Sequence, residues 1–155
     1  MRGHGGHAGI QGHCSGTLTH LAGGSKQRER IVALGGLDDV IKGMAAHPTS
    51  QLVQYKGCAV LANFAHNILE QQQVGSAGGV KASIRAMQLH ADDKDVQDYC
   101  MGTLYNLARA YENREKIAAE GGIQVIKQAL VMHPDASTVQ RVGKNLVETL
   151  SRDFD

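Results

Sequence analysis

The sequence contains no tryptophan, only two phenylalanines and only two prolines among its 155 residues. Few prolines permit long helices, since proline interrupts helical hydrogen bonds, and the lack of tryptophan leaves little aromatic surface for recognition. Neither charge sign is in excess, because 16 Lys and Arg stand against 15 Asp and Glu, for a formal charge of +1. This balance argues against nucleic acid or a membrane surface as the ligand, and the apolar runs are too short to span a bilayer.

The amino terminus lacks the apolar stretch of a signal peptide, and residues 1–9 are predicted to form a flexible Gly/His-rich tail. The three cysteines are an odd number, which argues against a disulfide framework. The sequence therefore predicts a reducing compartment, the cytoplasm or the nucleus.

A 43-residue repeat runs through the rest of the chain. Its plainest marker is a Gly-Gly pair at 35–36, 78–79 and 121–122. Four further series keep the same spacing, and they are Val53, Val96 and Val139, each followed by Gln; Leu18, Leu61, Leu104 and Val147; Leu21, Phe64, Leu107 and Leu150; and His47, His90 and His133. Repeats of this length are typical of stacked helical units, none of which can bury its apolar face alone.

Each unit is predicted to contain three helices, and the middle unit shows the pattern. We expect a short helix over 70–77, a second over 80–90 and a third over 94–109, because the apolar residues keep helical spacing. The Gly-Gly pair supplies a sharp turn with positive φ between the first two helices, and Asp92 and Asp93 suit the start of the third. One domain over 10–155 is predicted, with units at 26–66, 70–109 and 112–151 and a partial unit at 10–22.

These units resemble armadillo repeats. The resemblance lies in the Gly turn and in the segments Leu61-Ala62-Asn63-Phe64-Ala65 and Leu104-Tyr105-Asn106-Leu107-Ala108, and it covers about residues 10–151. It implies an all-α fold, a right-handed α-α superhelix of three-helix repeats, whose third helices line a concave groove. In such proteins the groove binds an extended peptide of a partner protein.

The resemblance also implies site residues. An Asn near the end of each third helix holds the ligand backbone, since its amide offers both a donor and an acceptor; Asn63 and Asn106 match it, with His20 one period earlier. Other groove-side candidates lie on the same helices or just beyond them, and they are Tyr55, Lys56, His66, Asp98, Tyr99, Arg109, Arg141 and Arg152.

Each of these candidates has a structural alternative. The Asn residues could bond neighbouring backbone, the tyrosines could be packing residues, and Arg109 could be a cation at a helix C-terminus.

The family's nuclear-import receptors carry a Trp four residues before that Asn, where this chain has Ala59 and Gly102. Without a Trp array, and with a groove that leans basic, recognition of basic localisation signals is not expected. The hypothesis is a neutral or acidic extended ligand, with Arg109 as a fork for a carboxylate.

Residues that could carry chemistry have simpler explanations. The recurring histidines lie about 10 Å apart in a helix stack, too far to share one metal, and are predicted as donors or cations at the ends of second helices. Cys14 and Cys100 occupy positions that are Gly in other units and are predicted to be buried thiols, whereas Cys58 lies one residue off that stripe and is predicted to be more exposed. No nucleophile with a base, and no phosphate loop, can be assembled.

The sequence therefore predicts a protein-binding module and no enzyme, no cofactor and no metal site. The alternative is a structural or self-associating piece of a larger scaffold. In that alternative the apolar face under residues 10–22 would pair with another copy or with a preceding segment.

Overall fold

The computed structural model describes residues 6–154, and over this range the protein is all-α, with ten helices and no strand. The helices are α1 (Ala8–Leu21), α2 (Ser25–Ala33), α3 (Gly36–Ala46), α4 (Gln51–Asn63), α5 (Ile68–Ser76), α6 (Gly79–Leu89), α7 (Lys94–Leu107), α8 (Tyr111–Ala119), α9 (Gly122–Met132) and α10 (Ser137–Phe154). None of these helices is long and apolar enough to cross a membrane.

The helices stack by their position in the repeat. The third helices α1, α4, α7 and α10 pack successively against one another, and so do the second helices α3, α6 and α9. The core lies between these two layers and includes the fully buried Leu61, Met87, Leu104 and Leu146.

The three helices predicted for the middle unit are confirmed as α5, α6 and α7, and Asp93 caps α7 by accepting from the backbone N–H of Val96 at 2.9 Å. At the amino terminus, α1 begins at Ala8, so residues 8–9 of the predicted tail are helical. The rest of that prediction falls partly on residues 1–5, outside the described range.

The two glycines of each Gly-Gly pair are required for different steric reasons. The first glycine adopts the left-handed conformation predicted for it, with φ of 78° at Gly35, 99° at Gly78 and 73° at Gly121. The second glycine begins the next helix against the preceding one; a Cβ on Gly79 would lie 2.5 Å from Cγ1 of Val74 and 2.9 Å from the carbonyl oxygen of the same residue.

We expect Gly78→Ala to lower the free energy of unfolding by about 1–2 kcal/mol, because an L-residue is strained at this positive φ. Gly102→Ala is the matched control, since Gly102 lies within α7 and a Cβ there would meet nothing within 4 Å. It should raise the free energy of unfolding by about 0.8–1 kcal/mol through helix propensity. Urea unfolding of both variants measures the effects, and equal shifts would contradict the backbone explanation.

The glutamine that follows the recurring valine closes the end of each second helix. Gln97 Nε2 donates to the carbonyl oxygens of Met87 at 2.8 Å and His90 at 2.9 Å. Gln54 and Gln140 make the same pair of bonds in their own units. These amides satisfy carbonyls that a helix C-terminus leaves without partners.

The recurring histidines connect neighbouring units. His90 Nε2 lies 2.7 Å from the carbonyl oxygen of Pro48, and His133 Nε2 lies 2.7 Å from that of Ala91. A carbonyl can only accept, so Nε2 donates in both bonds. Both histidines lie at the ends of second helices, as predicted. Their hydrogen-bond acceptors, however, belong to the preceding unit and not to the second helix of their own unit.

A further set of recurring hydrogen bonds joins each first helix to the end of the third helix that precedes it. These bonds were not predicted from the sequence. The bonds are Arg28 Nη1 to Ala22 O at 3.2 Å, Gln71 Nε2 to Ala65 O at 3.2 Å, and Arg114 Nη1 to Ala108 O at 2.9 Å. Their common 43-residue spacing is a signal that could have revealed them.

The cysteine predictions were wrong in three respects. Cys58 and Cys100 form a disulfide that joins α4 to α7, with a Cα–Cα distance of 5.1 Å. Cys58 is fully buried rather than exposed, because facing the neighbouring third helix places it inside the stack. Cys14 is a free thiol, but it is only half-buried.

Candidate functional site

A groove of about 630 Å³ lies in the third-helix layer, between α7 and α10. Its lining residues are Ala62 from α4, Asp95, Asp98, Tyr99, Gly102, Tyr105 and Asn106 from α7, and Thr138, Arg141 and Val142 from α10. We call this surface the α7–α10 groove. It is the place where the family resemblance implied a ligand.

The two predicted Asn residues differ in what they contact. Asn63 Nδ2 donates to the carbonyl oxygen of Thr19 at 3.1 Å, which ties α4 to the end of α1. The half-buried Asn106 lines the α7–α10 groove, and across residues 6–154 its side-chain amide has no hydrogen-bond partner. Asn106 therefore keeps both its donor and its acceptor for a ligand, whereas Asn63 has already used a donor.

The predicted aromatic residues form a pair. The rings of Tyr55 and Tyr99 are 5.5 Å apart between centroids, and the Lys56 ammonium lies 5.1 Å from the Tyr55 centroid. Tyr99 is nevertheless 47% exposed, so packing against Tyr55 leaves much of its surface open to the groove. Tyr99 therefore packs against Tyr55 and is also exposed in the groove, so each of the two interpretations of the tyrosines is partly correct.

Two further predicted residues, Arg109 and His20, lie apart from the groove lining. Arg109 follows the end of α7 and His20 lies in the last turn of α1, and both are exposed. Within the described part of the chain neither side chain has a hydrogen bond or an ion pair. Tyr55 and Lys56 reach the groove only through the contact of Tyr55 with Tyr99.

The groove also contains residues that sequence reasoning did not single out. Asp95 and Thr138 occupy equivalent positions one repeat apart, as do Asp98 and Arg141. Asp98 and Arg141 were already predicted from the sequence as groove residues. The same 43-residue spacing could have identified Asp95 and Thr138 as a second pair of equivalent residues in the groove.

The charges in the groove are only partly neutralised. Asp98 Oδ2 lies 3.6 Å from Lys94 Nζ, while Asp98 Oδ1 is buried and has no hydrogen-bond donor. Arg141 on α10 has no carboxylate within 4 Å among residues 6–154. The groove thus presents the Arg141 guanidinium, which a carboxylate can pair with.

Across residues 6–154, no three His, Cys, Asp or Glu side chains converge as metal ligands. Away from the groove, on α8, a hydrogen bond from its own backbone and one from the Gln72 side chain lower the pKa of Glu112.

No family model matches the chain, and no curated protein matches it. A solved structure of an engineered protein from the Northeast Structural Genomics Consortium is similar to it, with a TM-score of 0.79 and 23% sequence identity. The similarity covers 95% of this chain and 58% of that one. At this identity it shows a shared fold alone.

Proposed function

We propose that this protein is an armadillo-type superhelix that binds an extended segment of a partner protein in the α7–α10 groove. The observation that carries the proposal is the free Asn106 amide on the groove wall. A side-chain amide can pair with the N–H and C=O of one peptide unit, and so fixes the register of an extended ligand without reading its sequence. The three-helix units and the left-handed glycine in each turn support the armadillo-type architecture.

The other groove residues suit the same ligand. Gly102 leaves open space beneath the ligand, and Tyr99 and Tyr105 offer exposed rings that bury area at little entropic cost. A backbone N–H of the ligand would bond to the exposed part of the Asp98 carboxylate, whose side chain is 23% exposed.

The cations indicate the class of side chains. Arg141 in the groove and Arg109 beyond the end of α7 have no carboxylate partner in the described range. An arginine can bind a carboxylate with two parallel hydrogen bonds. The ligand we propose is therefore neutral or acidic.

The test is selection of twelve-residue displayed peptides on the whole chain, followed by affinity measurement on variants. We expect Asn106→Ala to weaken selected peptides about tenfold or more, since two hydrogen bonds are lost at about 0.5–1.5 kcal/mol each. Gly102→Trp should abolish binding by filling the groove. Gln124→Ala is the control, because Gln124 is an exposed amide side chain on α9, outside the third-helix layer.

Two results would refute the proposal. One is a set of peptides whose affinity is the same for wild type, Asn106→Ala and Gly102→Trp. The other is selection that depends on Lys or Arg in the peptide, which would contradict the proposed ligand class.

A second candidate function is self-association. Large apolar side chains are exposed at the end of the stack formed by α1 and α2, with Leu21 at 56% and Leu34 at 67%. A molar mass that rises with concentration, and that Leu34→Gln restores to the monomer value, would favour this candidate.

A further inference from the structure

A second cavity lies between α3 and α6, in the layer of second helices. Its volume is about 240 Å³, and we call it the α3–α6 cleft. Ile41, Met44 and Ala82 supply apolar wall, and the half-exposed Leu89 extends it towards solvent. Because second helices form a separate layer from third helices, this site is distinct from the α7–α10 groove.

Two cations, Lys81 and Arg85, also line the cleft. Arg85 is exposed and has no carboxylate within 4 Å across residues 6–154. Lys81 is 71% exposed and lies 3.8 Å from Glu120, at the outer limit of an ion pair. One repeat further on, the equivalent residues are Gln124 and Gln128, so the pair of cations is not a general property of the second helices.

The size of the cleft restricts what it can hold. Sites for drug-sized ligands occupy about 300–1,000 Å³, and this cleft is smaller. The cleft fits one bulky side chain of a partner. In many protein interfaces a single buried side chain of this kind supplies much of the affinity. Arg85, which has no carboxylate partner in the described range, and the largely exposed Lys81 complement carboxylates and would steer an acidic partner to the site.

We infer that the α3–α6 cleft is a second protein-binding site, which takes a large aliphatic or aromatic side chain from an acidic segment of a partner. The apolar wall receives the anchor, while Arg85 and Lys81 pair with carboxylates that flank it. This inference is independent of ligand binding in the α7–α10 groove.

The test uses amide NMR spectra of the full chain, labelled with ¹⁵N. The probe is a nine-residue peptide with two central leucines flanked by glutamates, and the comparison peptide replaces the glutamates with lysines. We expect the acidic peptide to shift amide signals of α3 and α6, with weaker binding as salt screens the charges. The lysine peptide should leave these signals in place.

The variant Lys81→Gln/Arg85→Gln introduces the residues that the chain itself carries one repeat later. It should weaken the acidic peptide about fivefold to tenfold. Lys127→Gln, which removes an exposed cation on α9, is the matched control and should leave affinity unchanged. Ala82→Phe should also block binding of the peptide, because the larger side chain would fill the cleft.

Three outcomes would overturn the inference. They are the absence of shifts at millimolar peptide, shifts confined to α7 and α10, and shifts of α3 and α6 that both peptides cause equally. A third probe, decanoate, separates an acidic peptide from a fatty acid: binding of decanoate without binding of the peptide would also overturn the inference. None of these results depends on Asn106, so failure here is distinguishable from failure of the proposed groove function.

Discussion

Removal of the Cys58–Cys100 disulfide is expected to lower the free energy of unfolding by about 4 kcal/mol. The bond closes a loop between residues 42 apart in sequence, and the chain-entropy relation gives this magnitude for a loop of that length. Both cysteines are fully buried, so a reductant should reach them only when the chain opens. The disulfide joins α4 to α7, and its loss should weaken the contact between two successive third helices.

The measurement is urea unfolding of the double variant Cys58→Ala/Cys100→Ala. Cys14→Ala is the matched control, because Cys14 is a free thiol, and it should change stability little. A thiol titration of the denatured wild-type chain should find one free thiol before reduction and three after it. Three thiols without reduction, or equal unfolding midpoints for the double variant and the control, would contradict the prediction.

Gln97→Glu is expected to cost about 3 kcal/mol or more near pH 7. The substitution keeps the shape of the side chain but turns a donor into an acceptor, opposite the carbonyl oxygens of Met87 and His90. Each carbonyl left without a partner costs about 1–3 kcal/mol, and a buried carboxylate adds its own desolvation. Gln97 is only 1% exposed, so water cannot replace the lost bonds.

The pH dependence of this variant has a definite sign. Burial raises the pKa of the introduced carboxyl in the folded state above its unfolded value of about 4.3. The destabilisation due to charge should therefore disappear below that unfolded value and be complete above the raised folded one. Urea unfolding between pH 4 and pH 8 measures it, with Gln88→Glu on the exposed side of α6 as control. Equal pH profiles for the two variants would contradict the proposed role of Gln97.

The repeat made much of the fold predictable. The Gly-Gly pairs fixed where first helices end and second helices begin, because a left-handed turn next to a tight helix contact requires glycine at two successive positions. The same register located the third helices, and with them the face that carries the groove.

The candidate site was only partly predictable. Asn63 and Asn106 are equivalent in sequence, yet Asn63 donates to Thr19 and Asn106 has no partner in the described range. Whether an amide is free depends on the backbone of the preceding helix, which a repeat pattern does not describe. Cys58 and Cys100 likewise lie one residue out of register with each other, so their pairing became visible only when α4 packed against α7.

The sequence by itself determined the helical units, their length and their turns, since these follow from local spacing and from the backbone freedom of glycine. Only the tertiary structure decided which polar groups of the stack are satisfied and which remain open. Pairings such as Asn63 with Thr19 and His90 with Pro48 join residues 44 and 42 apart in sequence, and the local sequence pattern does not determine the distances between them.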